Sequence, residues 1–287
     1  MKELHECISL RSHIGKTFIA GNLLVAEKLR QGKALTILDA NPDGNDLFFM
    51  TKNLGAINVF NTIGIKSTLY EESQHTNVSL SDDNLISMLE KAYGDLSEKK
   101  DIICDNGSGD ASLVKLKYLF INDFVYNFIK NDYIIYIDII ATCANLSSTF
   151  RELELVGFCL RSFYSRTKNY CLGLDVKDRI KVNIWKNEFF GRNFSFYNRR
   201  DKRITELENA DGFYNLKEKN MLHAVYTVAQ EKTAARLDLI FEAMKYKKLL
   251  VDMAKEEMIY PMDRAIYKDL SQSLLDNTYE SAVIYDK

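Results

Sequence analysis

Short apolar runs with β-strand character alternate with helical stretches along most of this 287-residue chain. The runs are rich in Ile, Val, Tyr or Cys and lie at Glu6 to Leu10, Ala34 to Leu38, Asp101 to Cys104, Tyr133 to Ile140 and Ile180 to Trp185. Strands that alternate with helices form βαβ units, in which the strands pair in parallel. The alternation therefore predicts an α/β fold with a mostly parallel sheet flanked by helices.

Residues from about 216 onward show a different pattern, in which apolar side chains recur at helical spacing. This apolar stripe, which is typical of a packed helix face rather than a partner groove, consists of Leu237, Ile240, Phe241 and Met244. A helix break is predicted at Pro261, and a further amphipathic stretch over Ile266 to Leu275. No linker rich in Pro or Gly divides the chain. We expect an α/β domain over residues 1–215 and a helical C-terminal region over residues 216–287 that packs on the same domain.

The amino-acid composition excludes several classes of protein. The chain is 46% hydrophobic and carries 38 basic and 40 acidic residues, which excludes intrinsic disorder and polyanion binding driven by bulk charge. Its five cysteines form an odd set without a CxxC pair, so we expect reduced thiols rather than a disulfide framework or a zinc site. The apolar runs are too short for a membrane span, and the first residues do not resemble a signal peptide. These features predict a cytoplasmic location.

A Gly-Lys-Thr element follows the first strand-like run. Gly15, Lys16 and Thr17 stand where this run passes into a helix predicted over Lys16 to Gln31. At a helix N-terminus, backbone N–H groups bind phosphate, a lysine reaches the β- and γ-phosphates, and a hydroxyl binds Mg²⁺. Leu10 stands where the pattern GxxxxGK(S/T) has its first glycine. From this element alone, a phosphate loop and an ordinary strand-to-helix turn both stay open.

Acidic residues end the next two predicted strands. Asp39 begins an acidic, turn-forming segment that includes Asp43, and Asp105 follows the buried run that ends at Cys104. The carboxyl ends of parallel strands meet at one edge of a sheet, which is where ligands bind in open α/β folds. A carboxylate at this place commonly holds Mg²⁺. The three strand ends together predict a phosphate and magnesium site, although Asp also favours turns for structural reasons.

Three segments resemble the ParA/MinD-like branch of the P-loop ATPases. Residues 11–17 (RSHIGKT) are similar to its deviant Walker A motif KGGxGK(S/T), residues 39–45 (DANPDGN) to its switch I motif DxDPxGN, and Asp105 to its Walker B aspartate. The run Asp105-Asn106-Gly107 and the strand over residues 182–191 resemble, more narrowly, the TraL-like conjugal-transfer proteins of plasmids. The resemblance implies a P-loop NTPase fold for residues 1–215, with ATP and Mg²⁺ as cofactors.

The resemblance also implies roles for individual residues. Asn187 matches the asparagine that reads the adenine edge, and Arg11 stands where the family has a lysine that reaches across an ATP-bound homodimer. The residues that match the metal-binding positions are Thr17, Asp39 and Asp105. The loop residues that would bind the nucleotide are Ser12, His13, Ile14, Gly15, Lys16, Thr17 and Phe18. The residues assigned to catalysis are Lys16, Asp39, Asp43 and Arg11.

One departure from the family bears on turnover. Asn41 stands where the family has the aspartate that orients the attacking water, and an amide does not polarise water as a carboxylate does. Hydrolysis is therefore expected to be slow, or to rely on Asp43. The resemblance implies an ATPase that acts as a dimer switch with a protein partner in plasmid transfer or maintenance. Two alternatives stay open, which are a nucleotide-binding adaptor without hydrolysis and a DNA or RNA binder that uses the basic, aromatic residues 192–203.

Overall fold

The computed structural model of the chain describes residues 1–11, 14–40, 46–51, 59–64, 101–108, 116, 120, 124–167, 176–198, 202–229, 231 and 233–285. Eight strands form one sheet in the order β10-β9-β6-β5-β1-β4-β2-β3, and β7 and β8 form a separate hairpin. The strands are β1 (Lys2–Ser9), β2 (Leu35–Ala40), β3 (Val59–Gly64), β4 (Asp101–Ser108), β5 (Tyr133–Ala141), β6 (Ile180–Asn187), β7 (Ser195–Asn198), β8 (Arg203–Glu206), β9 (Leu222–Val228) and β10 (Val283–Ile284).

Every strand pair of the large sheet is parallel except β10 with β9. The helices are α1 (Lys16–Ile19), α2 (Ala26–Arg30), α3 (Asp46–Thr51), α4 (Phe124–Lys130), α5 (Leu146–Thr167), α6 (Asp211–Glu218), α7 (Ala234–Lys245), α8 (Leu250–Met253) and α9 (Pro261–Glu280). This mostly parallel sheet with helices on its faces confirms the predicted α/β class. None of the helices in the described ranges is long and apolar enough to cross a membrane.

The five strand-like runs of the sequence are all strands, each within a few residues of its predicted limits. The helical prediction for residues 216–287 holds for α7 to α9 but misses two strands. Because residues 222–228 are rich in β-branched and aromatic side chains, they form β9 beside β6, and β10 pairs with β9 at the edge of the sheet. Pro261 begins α9 rather than breaking a helix, since its missing N–H is harmless in a first helical turn.

The two faces of the sheet are buried in separate hydrophobic clusters. One cluster joins β1, β4, β5 and β6 to α4, α5 and α6, and includes Leu153 and Phe213. The other joins the opposite face to the helix after β1 and to α7 to α9, and includes Trp185 and Tyr267. Burial on both faces explains the nearly continuous apolar character of the strands. Within the predicted apolar stripe of α7, Ile240 is buried but Phe241 is 57% exposed, so the stripe is only partly core.

The helix after β1 is continuous from α1 to α2 and has a π-helical middle, Ala20–Val25. The side-chain oxygen of Asn22 in this segment accepts a hydrogen bond from the backbone N–H of Leu250, at 2.8 Å. A Cβ on Gly21 would lie 2.9 Å from the side chain of Leu249. The helix that begins at the Gly-Lys-Thr element is thus packed directly against the C-terminal region.

A group of charged side chains, here called the mid-sheet cluster (Glu3, His5, Lys28, Asp101 and Asp138), lies on one face of the sheet, and all of them are buried except Glu3, which is half-buried. His5 Nδ1 lies 2.8 Å from Asp138 Oδ2, and His5 Nε2 lies 3.1 Å from Glu3 Oε2. Lys28 bonds Glu3 and lies 3.4 Å from Asp101 Oδ2. The two further donors to Asp138 Oδ1 are Asn183 Nδ2 at 2.9 Å and Trp185 Nε1 at 2.7 Å.

Candidate functional site

The turn between β1 and α1 depends on a glycine. Gly15 has a φ of 85°, in the left-handed region that other residues rarely adopt, and directly precedes the first helical residue, Lys16. A Cβ at this position would lie only 2.4 Å from Nδ2 of Asn187. The first helical hydrogen bond runs from Ile19 N–H to the carbonyl of Gly15, at 3.0 Å. The N–H groups of residues 16–18 therefore precede the helical hydrogen bonds, as the donors of an anion-binding helix terminus do.

Lys16 and Thr17 converge on one carboxylate. Lys16 Nζ donates to Asp105 Oδ1 at 2.7 Å, and Thr17 Oγ1 donates to Asp105 Oδ2 at 2.5 Å. Lys16 and Asp105 are both buried. A buried charge is stable only when it is paired, so each group needs the other while no ligand is bound. The predicted lysine, hydroxyl and acid are thus brought together by the packing of α1 against β4.

Asp39 joins the same site. It is fully buried, and it lies opposite Asp105 in the parallel register of β2 with β4. Two carboxylates and the Thr17 hydroxyl form a set of oxygen donors, which suits Mg²⁺ because this ion takes one or two carboxylates together with substrate phosphates. Within the described ranges, no group of three or more His, Cys, Asp and Glu residues could hold a metal on its own. We call Lys16, Thr17, Asp39 and Asp105 the phosphate-loop cluster.

Asn187 contacts the loop itself. Its side-chain amide donates to the carbonyl of Ile14 at 2.9 Å, and its side-chain oxygen accepts from the N–H of Phe189 at 3.2 Å. The side chain is buried. In this structure Asn187 therefore holds the carboxyl end of β6 against the loop, and its contact with an adenine edge stays a prediction.

The remaining predicted site residues are placed as follows. Arg11 is exposed, its N–H donates to Ser9 Oγ at 3.0 Å, and its Nε lies 3.3 Å from Ser148 Oγ at the start of α5. Phe18 is buried, and its ring packs edge-to-face on Phe189 at 5.3 Å, so only its backbone N–H is suited to a ligand. Ser12, His13, Asn41 and Asp43 lie outside the described residues. Their roles stay predictions.

One buried residue of the site was not singled out from the sequence. Glu152 of α5 accepts hydrogen bonds from the backbone N–H of Leu10 and from Ser9 Oγ, the latter at 3.5 Å. Burial raises the pKa of Glu152 to about 7, against the opposing effect of these two hydrogen bonds. The available signal was an acid within an otherwise apolar helix face, between Thr149 and Leu153. That signal does not say which loop the acid contacts.

The basic, aromatic segment 192–203 forms the β7–β8 hairpin, of which residues 199–201 lie outside the described part. Phe194 is buried and lies 5.4 Å below Lys186 Nζ. Phe196 stacks on Phe150 of α5 at 3.9 Å. Two of its aromatic rings therefore pack on the protein, while Tyr197 is 59% exposed.

No family model and no curated protein matches the sequence. Similar solved structures include a ParA family ATPase from Chlorobium tepidum (12% identity, 96% of this chain and 98% of that one, TM-score 0.46). A MinD cell division protein from Aquifex aeolicus has 11% identity over 96% of this chain and 97% of that one, with a TM-score of 0.45. A nucleotide-binding protein in complex with ADP from Archaeoglobus fulgidus has 15% identity over 86% and 87%, with a TM-score of 0.42.

Proposed function

We propose that this chain is a Mg-ATP-binding ATPase of the ParA/MinD type that works as a nucleotide-dependent dimer switch in plasmid conjugative transfer or maintenance. The observation that carries the proposal is the convergence of Lys16 and Thr17 on Asp105, at a glycine-dependent helix start beside Asp39. A strand-to-helix turn without a ligand does not need a buried lysine, a hydroxyl and two buried carboxylates at one strand edge.

The chemistry follows from these groups. Asp105 pairs with the Lys16 ammonium at 2.7 Å. When ATP binds, its phosphates are a stronger partner for the ammonium and for the N–H groups of residues 16–18. Asp105, Asp39 and Thr17 would then hold Mg²⁺, which neutralises phosphate charge when it is bound. Lys16 stabilises the charge that develops as water attacks the γ-phosphate in line.

The switch requires ATP to bind the dimer more tightly than the monomer, because a ligand with equal affinity for both states shifts nothing. The exposed Arg11 donates to Ser148 Oγ in the same chain, and its role across a homodimer rests on its match to the family's lysine. The further proposal of a cytoplasmic protein that engages a transfer or partition partner rests on the resemblance of the motifs.

The first experiment is a titration with a fluorescent ATP analogue and Mg²⁺. We expect Lys16→Ala to weaken binding at least about 100-fold, equivalent to about 2.7 kcal/mol, because the phosphates lose their cation. Lys245→Ala removes an exposed lysine from α7 and is the matched control, with unchanged affinity. Equal affinities for wild type and Lys16→Ala, with both proteins folded by circular dichroism, would overturn the assignment.

A second candidate is a nucleotide-binding adaptor without turnover, favoured by Asn41 and by Leu10 in place of the first loop glycine. Sedimentation and phosphate release, measured with and without Mg-ATP, separate the two. Hydrolysis with nucleotide-dependent dimerisation supports the switch ATPase. Tight binding without phosphate release supports the adaptor.

A further inference from the structure

Glu152 connects α5 to the start of the phosphate loop. Its carboxylate is fully buried, yet its two protein partners, the N–H of Leu10 and the hydroxyl of Ser9, both belong to the end of β1. The Ser9 hydroxyl in turn accepts the N–H of Arg11 at 3.0 Å. One carboxyl group therefore organises three consecutive residues where the chain leaves the sheet and enters the loop.

This contact occurs at the position where the loop departs from the usual pattern. Leu10 replaces the first glycine, so the backbone here lacks the freedom that glycine provides. A carboxyl group that binds the Leu10 N–H directly supplies a fixed geometry in its place. The loop shape therefore depends on a residue that lies 142 positions further along the chain.

The second carboxyl oxygen of Glu152 can still accept hydrogen bonds. Glu152 Oε2 is buried and has no hydrogen-bond partner among the residues that the structure describes. Around it, the guanidinium of Arg11 is directed to Ser148, and Glu6, on the same sheet face, accepts from Asn106 at 2.7 Å. The Lys16 ammonium is bound to Asp105. Burial raises the pKa of Glu152, and no described charged group contributes to the shift.

We propose that Glu152 is a positioning residue of the phosphate loop, which fixes the backbone at Leu10 and gains a proton when the phosphates of a nucleotide enter the loop. This inference rests on the proposed nucleotide binding. A bound phosphate would add negative charge to the loop whose first residues Glu152 contacts, and added negative charge favours the neutral form of an acid. Proton uptake and nucleotide binding then strengthen each other by the same factor.

The linkage gives a sign for the pH dependence. The pKa of Glu152 lies at about 7 without ligand and is raised further by bound phosphate. Nucleotide affinity is therefore highest below pH 7 and falls as the pH rises through 7 to 8, where the free chain has lost the proton. Glu152→Gln stays neutral, keeps an oxygen for the Leu10 N–H, and should lose this dependence.

The test measures the dissociation constant of a fluorescent ATP analogue at pH 6 and pH 8. The phosphates of the analogue titrate in the same way with every variant. The ratio of each variant's dissociation constant to that of wild type therefore reports only the titration of the protein. We expect wild type to weaken about fivefold more than Glu152→Gln between the two pH values, a typical coupling factor. Glu152→Ala should bind more weakly at both. Leu153→Ala, a buried neighbour on the same helix, should lose stability but keep the wild-type affinity and ratio.

Deuterium exchange of the ligand-free protein provides an independent measurement. Peptides that cover residues 4–18 should exchange faster in Glu152→Ala and at the wild-type rate in Glu152→Gln, while Leu153→Ala reports the exchange that follows from lost stability alone. If both Glu152 variants match wild type in exchange and in the pH ratio, the positioning role is wrong. If wild type binds no nucleotide, the proposed function is wrong, whatever the exchange shows.

Discussion

The His5–Asp138 pair of the mid-sheet cluster and the Lys16–Asp105 pair of the phosphate-loop cluster differ in how many protein groups bond to them. In the mid-sheet cluster, both ring nitrogens of His5 have a carboxylate partner, and Asp138 accepts from three different side chains. In the phosphate-loop cluster, the Lys16 ammonium has three N–H donors and bonds one carboxylate within the described part of the chain. The His5–Asp138 pair is therefore satisfied by protein groups, whereas the Lys16 ammonium at a strand edge keeps N–H donors for a ligand.

The pKa values of the titratable groups also differ between the mid-sheet cluster and the loop. Burial lowers the pKa of His5, but the charge and hydrogen bond of Asp138 outweigh it and raise the pKa to about 9. Burial raises the pKa of Glu3, but His5 and then Lys28 lower it to about 2. Pairing with neighbouring charges thus favours the charged forms of His5 and Glu3. At the loop, Glu152 is governed by burial, so its charge can change near neutral pH.

The largest effect should come from removing Asp138, the shared acceptor of the mid-sheet cluster. Asp138→Ala leaves a buried histidine, an amide and an indole N–H without their acceptor, and should lower the free energy of unfolding by about 3–5 kcal/mol. Urea denaturation measures this change. Asp276→Ala, at an exposed ion pair, is the control and should leave the urea midpoint unchanged. If Asp138→Ala lowers the free energy of unfolding by less than about 1 kcal/mol, Asp138 is not the essential acceptor of this cluster.

An intermediate effect should come from the loop glycine. Gly15 and Gly32 both have a left-handed φ, but only a Cβ on Gly15 meets another atom within 4 Å, the amide of Asn187. Each Gly→Ala change should cost about 1–3 kcal/mol of backbone strain. Gly15→Ala should in addition weaken nucleotide binding at least about tenfold, because the clash displaces the loop. Equal nucleotide affinities of the two variants would show that the contact with Asn187 does not set the loop geometry.

The smallest effect should be a stability change with alkaline pH. The pKa of His5 is raised from 6.5 in the unfolded chain to about 9, so its contribution is fully present below pH 6.5. It is lost as the pH rises through 9. Urea midpoints at pH 7 to 10 should therefore fall more steeply for wild type than for His5→Gln. Parallel curves would mean that His5 is neutral in the folded protein.

Local pattern explains which parts of this structure could be predicted. The five central strands and the Gly-Lys-Thr turn follow from short apolar runs and from one tripeptide at a strand end. The strand over residues 222–228 was missed because helical sequence surrounds it, and because the preference of a segment for a strand depends on the neighbours with which it pairs.

Long-range contacts explain what could not be predicted. Asp138 reaches His5 across 133 positions, and Asn187 reaches Ile14 across 173. The sequence indicates that Asn187 is polar and lies at a strand end, but it does not indicate that its amide binds the loop. Glu152 presents the same difficulty, since the sequence shows an acid on an apolar helix face but does not indicate which residue it contacts. These contacts can be predicted only when the order of the strands in the sheet is known.

The central place of β1 has a consequence for how the chain acquires its structure during synthesis. Both neighbours of β1, namely β4 and β5, begin more than 90 residues later. At roughly 5–20 residues per second, a ribosome needs on the order of ten seconds to produce them after β1 has emerged. During that interval the first strand has no sheet partner, and its apolar residues remain available to chaperones. The loop at its end can take its final shape only after Glu152 and Asn187, which contact it, have also been made.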